Sequence, residues 1–464
     1  MTNNLLPPKE SLLTYLAIDS ADVRSISPPW KRTRYQAILN WLTRYQPKPN
    51  APNLEQVRGC LEAISLFCDL EDWTQAEKIF MLCLNTPTNE ELHNQLATWG
   101  YYREQIQLYE RFLDQSDPLL KALCLSGLGN AWDRLGNYGQ AIHYHQQCLI
   151  LAQHLNLSEV EGKALCNLGN AYFSLNDYTT ATQLYKQHLT FAQAGNDRLT
   201  QGIALGNLGN VYRVQEDYPK ALEYLQQRLA IAQEIGDLQG EENAFGNLGM
   251  VYLQLKNYEA AIECQFNSLE IARRIGNRSG EGRALGNLGS ICRSLEQLTQ
   301  AVELFESLRE ISEEISDREA YQTAIRQLGS LHQSLQNYEQ AIAFQQEDLI
   351  VAKIAGDLVT VGSILLNLGT SAREINRYDQ SIAWHEELLE LSQMMEDSDE
   401  EKWVLEAMAL YGLALVYQKL NDINRAIEYC DWALRLEPEV VKPIVERCAL
   451  LKNELSDDHS LSSN

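Results

Sequence analysis

Glycine and asparagine interleave in the stretch ALGNLGNVY, Ala204 to Tyr212, and two different chemistries would use them. Gly206 and Gly209, set in a turn between a strand and a helix, would let backbone N–H groups cradle a phosphate. The amides of Asn207 and Asn210, held in a row on a helix, would instead donate to and accept from the backbone of a bound peptide. Other reactive residue types form no constellation. His143 and His145 stand two apart on a helical pattern, and WHEEL at Trp384 to Leu388 lacks a second histidine four residues on. The ten cysteines occur singly, with no CxxC pair and no zinc spacing, as expected of reduced core thiols in a cytoplasmic protein. No P-loop, nucleophile elbow or kinase signature occurs. The sequence therefore predicts no catalytic residue, metal site or cofactor.

Charge narrows the partners. Thirty-eight basic residues against 63 acidic ones give the 464-residue chain a net charge of −25. Such a surface repels phosphate backbones and anionic lipid, so neither nucleic acid nor a membrane is an expected partner. No apolar run is long enough to span a bilayer, and MTNNLLPPKESLL lacks the pattern of a secretory signal. The acidic stretches MMEDSDEEKW and ELSDDHSLSSN read as solvated loop and frayed end.

The elements that position the asparagines follow from a period. Leu128-Gly129, Leu168-Gly169, Leu208-Gly209, Leu248-Gly249, Leu288-Gly289, Leu328-Gly329 and Leu368-Gly369 recur at intervals of 40. Nine residues after each glycine stands Tyr138, Tyr178, Tyr218, Tyr258, Leu298, Tyr338 or Tyr378, and twelve after it an alanine or Ser381. Seven identical phosphate loops make no chemical sense, whereas seven copies of a packing unit do. Within one unit Leu205, Leu208, Gly209 and Tyr212 share a helical face. After a short turn at EDY, Ala221, Tyr224, Leu225, Leu229 and Ala232 continue the helical period. Gly236 then ends the second helix and Asp237 starts the next. Each unit is a helical hairpin in which Gly209 and Ala221 allow close approach. Glycine inside a helix costs about 1 kcal/mol relative to alanine, which a close crossing can offset. The glycines are thus packing elements, and the phosphate reading falls.

The spacing of Leu413, Ala414, Tyr417, Ala426, Ala433 and Pro438 resembles the tetratricopeptide repeat. The seven preceding units resemble that family's long, roughly forty-residue form, as in kinesin light chains, spindle-orientation adaptors and cyanobacterial multi-repeat proteins. The resemblance implies an all-α fold, a right-handed α-α superhelical solenoid of stacked hairpins. It also implies a role in protein binding. The expected organisation is an extension at 1–52, divergent capping repeats at 53–118 and the array at 119–438. A capping helix at 439–456 and a disordered tail at 457–464 complete it.

In such a solenoid the first helix of each unit lines the concave side. The stripe offset from the leucine–glycine face carries Asn130, Asn167, Asn170, Asn207, Asn210, Asn247, Asn287 and Asn367. Asparagine is a middling helix former, so its recurrence asks for a role: contact with an extended peptide, or bonds between neighbouring repeats. Arg134, Lys163, Arg213, Arg283, Arg293, Arg326 and Arg373 fall on the same or an adjacent stripe. Gathered in a groove they would draw an acidic peptide or C-terminal carboxylate; otherwise they are solvated or pair with glutamates such as Glu216 and Glu242. The chaperone-binding members of the family use a lysine where this chain has Ser126, Cys166, Gly206, Gly246 or Gly286. Glycines there would let a ligand approach the helix closely. A non-catalytic adaptor is the first functional expectation. A scaffold using convex or edge surfaces, or a regulatory subunit of a partner enzyme, is the alternative. The oligomeric state is not readable.

Overall fold

The computed structural model describes residues 5–19, 22–48, 50–113, 117–396 and 399–462, the last six by backbone alone. Among these residues the chain is all-helical, with one isolated bridge between Cys83 and Glu91 in place of any strand. It divides into two compact units, Met1–Ile231 and Ala232–Asn464.

The first unit opens with α1 (Lys9–Tyr15) and α2 (Pro29–Thr43). Two irregular hairpins follow: α3 (Asn53–Asp69) with α4 (Trp73–Phe80), and α5 (Leu92–Thr98) with α6 (Tyr102–Phe112). Regular hairpins then begin: α7 (Pro118–Arg134) with α8 (Tyr138–Leu155), and α9 (Ser158–Ser174) with α10 (Tyr178–Ala194). Next come α11 (Arg198–Val214) and α12 (Tyr218–Ile235), within which the division falls. The second unit continues with α13 (Leu238–Gln254) and α14 (Tyr258–Ile275), then α15 (Arg278–Ser294) and α16 (Leu298–Ile315). The hairpins α17 (Arg318–Ser334) with α18 (Tyr338–Ala355) and α19 (Leu358–Glu374) with α20 (Tyr378–Met394) follow. Last come α21 (Glu400–Lys419), α22 (Ile423–Ala433) and α23 (Lys442–Ser462). Within each unit helices pack chiefly on their chain neighbours, which makes each a stack of hairpins, an α-solenoid.

Local chemistry sets the boundaries. Gly236, at φ +71°, follows α12 in the left-handed region that L side chains avoid. The Asp237 carboxylate then accepts from the Gly240 N–H at 2.9 Å and caps α13. Asp177, Asp197, Asp317 and Asp357 cap their helices in the same way. Leu205, Leu208 and Gly209 are buried on α11, and Ala221, Leu225 and Ala232 on α12. Tyr224 and Leu229 are only half-buried; the Tyr224 ring stacks on Tyr212 at 5.4 Å.

The hairpin contact is a knob in a notch. A Cβ at Gly129, Gly169, Gly209, Gly249, Gly289 or Gly369 would fall under 3 Å from one side chain of the second helix. That side chain is His145, Tyr185, Leu225, Gln265, Phe305 or His385, always sixteen residues on. At the end of the second unit α23 lays Ile444, Cys448, Leu451 and Leu455 over the apolar face of α21 and α22. Its backbone is helical to Ser462, into the segment expected as a tail, and 463–464 lie outside the described residues. Of the acidic stretch after Met394, Glu400 onward already belongs to α21, while 397–398 are likewise outside the description.

Candidate functional site

In the first unit α5, α6, α7 and α9 enclose a groove of about 920 Å³. Five of the sequence-predicted residues line it: Asn130, Arg134, Lys163, Asn167 and Asn170. The hydrogen bonds fix which amide atoms are left over. Asn167 Nδ2 donates to Asn130 Oδ1 at 3.1 Å, across the interface between successive hairpins. Asn170 Oδ1 accepts from the Tyr185 hydroxyl at 2.7 Å. Both internal roles use a carbonyl oxygen of an exposed asparagine, so the Nδ2 groups of Asn130 and Asn170 remain as donors in the groove.

The floor is a buried polar network. Gln105 Nε2 donates to the Tyr109 hydroxyl oxygen at 3.1 Å and to the His93 carbonyl at 2.8 Å. That assigns the Tyr109 proton to His93 Nδ1, 2.9 Å away, and the remaining imidazole proton to Nε2. Burial pushes the His93 pKa down to about 4, so the ring is neutral at physiological pH. Gly127 makes room for the network: a Cβ there would lie 2.4 Å from the Tyr109 ring.

The other predicted residues are not all brought together. Asn207 Nδ2 donates to Cys166 Sγ at 3.5 Å, again between hairpins. Asn210 Oδ1 and Arg213 Nε are buried without a hydrogen-bond partner among the described residues. In the second unit Arg293, Arg326 and Asn367 line a recess of about 270 Å³ with Gln345 and Asp348. Asn287 donates to Gln265 Oε1 at 3.3 Å, while Asn247 is half-buried and outside the recess.

Most of the predicted cations are already neutralised. Arg283 binds the buried Glu242 at 3.1 Å, from α15 to α13. Arg326 binds the buried Asp348 at 3.1 Å, Arg373 binds Glu374 at 3.0 Å and Lys163 binds Glu159 at 2.6 Å. Arg293 donates to Gln327 at 2.7 Å. The positions where glycine was expected to admit a ligand face inward instead. Gly206 looks onto Arg228, Gly246 onto Ser268 and Gly286 onto Leu308, each on the second helix of the same hairpin.

A family model described as tetratricopeptide repeat matches residues 119–194, 160–234, 240–314 and 320–394, and a second of the same description matches 407–440. The chain is a tetratricopeptide-repeat protein. Among solved structures it is similar to a signal transduction ATPase with numerous domains that has a tetratricopeptide repeat sensor, from Pyrococcus horikoshii. Identity there is 14% over 97% of this chain and 66% of that one, at a TM-score of 0.60. The chain spans slightly less than two thirds of that protein's length. The apo form of the quorum sensor NprR from B. thuringiensis is 15% identical over 73% of this chain and 99% of its own, at a TM-score of 0.47. Kinesin light chain-like repeats from Podosopora anserina are 16% identical over 44% and 99%, at 0.37. No curated protein sequence matches the chain.

In this tetratricopeptide-repeat chain the residues that sequence reasoning missed are Tyr109, His93, Gln105 and Asp133 in the groove and Gln345 in the recess. His93, Gln105 and Tyr109 belong to the irregular hairpin, where the forty-residue register gives no alignment. Asp133 precedes Arg134 and so stands one position off the chosen stripe. Gln345 lies on a second helix, at the variable knob position. Among the described residues no group of three or more His, Cys, Asp or Glu is placed to hold a metal ion, and no helix is long and apolar enough to cross a membrane.

Proposed function

We propose that the chain is a non-catalytic adaptor that holds an extended segment of a partner protein in the groove of its first unit. The observation that carries this reading is the convergence of Asn130, Asn167 and Asn170 on one open groove. Two of their side-chain amide groups, the Nδ2 of Asn130 and of Asn170, are unspent there and can donate to carbonyls of an extended chain. Secondary-structure positions on rigid helices make such a ladder pre-organised, which lowers the entropy lost on binding. An acidic ligand has weaker support, because Lys163 pairs with Glu159 and Arg134, exposed at the rim, acts on the adjacent Asp133.

A scaffold role has one observation of its own. Ile350 and Ile354 on α18, with Leu358 and Val359 opening α19, form an apolar run of which Ile354 is 83% exposed.

Panning a random dodecapeptide display library on the full chain separates the two. The control is the Asn130→Ala/Asn167→Ala variant, which removes both partners of one hydrogen bond and strands neither. Selected segments should bind the parent and lose at least about tenfold in affinity with the variant. Segments held equally by both proteins would contradict the groove and favour the outer surface.

A further inference from the structure

The groove contains a charge that its own walls do not satisfy. Asp133 is the one carboxylate among the residues lining it, on the last turn of α7. Its Oδ1 is buried and has no hydrogen-bond partner among the described residues. Burial pushes its carboxyl up from the usual aspartate value, and the adjacent Arg134 only partly offsets this. Its field reaches the Tyr185 hydroxyl, which donates to Asn170, so the carboxylate stands beside the amide ladder rather than apart from it. Lys163, in an exposed pair with Glu159, is not among the charges acting on it. Arg134 is exposed at the rim, where solvent screens it and its long side chain is free to turn away. A half-buried carboxylate without a partner is costly, and a cation brought by a ligand removes that cost.

We propose that the groove selects a segment bearing a lysine or arginine, whose side-chain cation pairs with Asp133 while Asn130, Asn167 and Asn170 hold its backbone. The inference rests on the groove-binding reading and reverses the sign of the ligand expected from the arginine stripe. The net charge of −25 supports it, because the field of the whole protein accelerates the approach of a basic segment and slows that of an acidic one. The basic residue gives specificity and register, and the amide ladder gives tolerance elsewhere along the segment.

The test pans the same dodecapeptide library on the full chain and on Asp133→Asn, then measures resynthesised, N-acetylated segments by fluorescence anisotropy. The parent should enrich lysine or arginine at one fixed position, and Asp133→Asn should enrich the flanking pattern without it. A lysine-bearing segment should bind Asp133→Asn at least about tenfold more weakly. Arg134→Gln, which removes the competing exposed cation without adding a second carboxylate, should bind the same segment more tightly, with a steeper loss of affinity as salt rises. Equal lysine enrichment by both proteins, enrichment of acidic residues, or loss of binding on acetylation of the amino terminus overturns the proposal while leaving the groove in place. Failure of the parent to enrich any segment overturns the groove-binding reading itself, and this inference with it.

Discussion

Two glycines on one helix, three residues apart, should respond to alanine in opposite ways. At Gly206 a new Cβ would meet nothing closer than Arg228 Cγ at 3.8 Å, an ordinary contact with a flexible side chain. The substitution then gains helix propensity, about 1 kcal/mol, with little to oppose it. At Gly209 the Cβ would lie 2.6 Å from Leu225 Cγ and 2.7 Å from its Cδ2. Leu225 is fully buried, so it can move only by displacing its neighbours. Overpacking of this kind costs about 1–3 kcal/mol, against the same gain of about 1. Gly206→Ala should therefore stabilise the protein by roughly 0.5–1 kcal/mol, and Gly209→Ala should range from neutral to about 2 kcal/mol destabilising. The separation of the two, about 1–3 kcal/mol, is the quantity to measure. Native-state hydrogen exchange along α11 and α12 reads it locally, and urea unfolding of the full chain reads it globally. Gly209→Ala proving as stabilising as Gly206→Ala would refute the notch-and-knob account of the hairpin.

Acid should weaken the fold before carboxylate protonation becomes general. His93, His145 and His385 are almost wholly buried, and burial lowers each pKa to about 4, against an unfolded value near 6.5. Between those values the unfolded chain binds more protons, so stability falls as pH drops from about 6.5 toward 4, by up to about 3 kcal/mol per histidine. Urea midpoints at pH 7.5 and 5.0 check this, and His385→Gln should shrink the difference, since Gln265 and Gln345 fill the equivalent position. An unchanged midpoint would contradict it. Arg326→Ala should destabilise by about 1–3 kcal/mol, because it leaves Asp348, 2% exposed and 3.1 Å from the half-exposed guanidinium, with only the Gln322 amide at 3.4 Å. Adding Asp348→Leu should restore most of that loss in thermal unfolding; a double variant as unstable as the single one would count against the pairing.

The hairpins were legible because their signal is repeated. Leu208, Gly209 and Tyr212 recur in register, and Asp237 marks a helix start by its own side chain. The knob facing each glycine was not, because a notch accepts any side chain that fills it: His145, Tyr185, Leu225, Gln265 and Phe305 share no chemistry. The asparagines divided for a reason that lies between repeats. Asn167, Asn207 and Asn287, all two residues before a repeat glycine, bond to the preceding hairpin, whereas Asn130 and Asn170 follow the glycine and are exposed. Sequence spacing assigns a residue to a helix face, but the partner of Arg283 stands 41 residues upstream, at Glu242. Of the two readings the arginine stripe allowed, a positive groove or pairing with carboxylates, Arg283 with Glu242 and Arg326 with Asp348 follow the second.

The most direct test of the account is hydrogen exchange of the full chain with and without a display-selected segment. The account predicts slowed exchange on α7 and α9, centred on the turns that carry Asn130, Asp133 and Asn170, with α18 to α20 unchanged. Protection confined to the Ile350–Val359 run, with α7 and α9 exchanging as in the free protein, would contradict it.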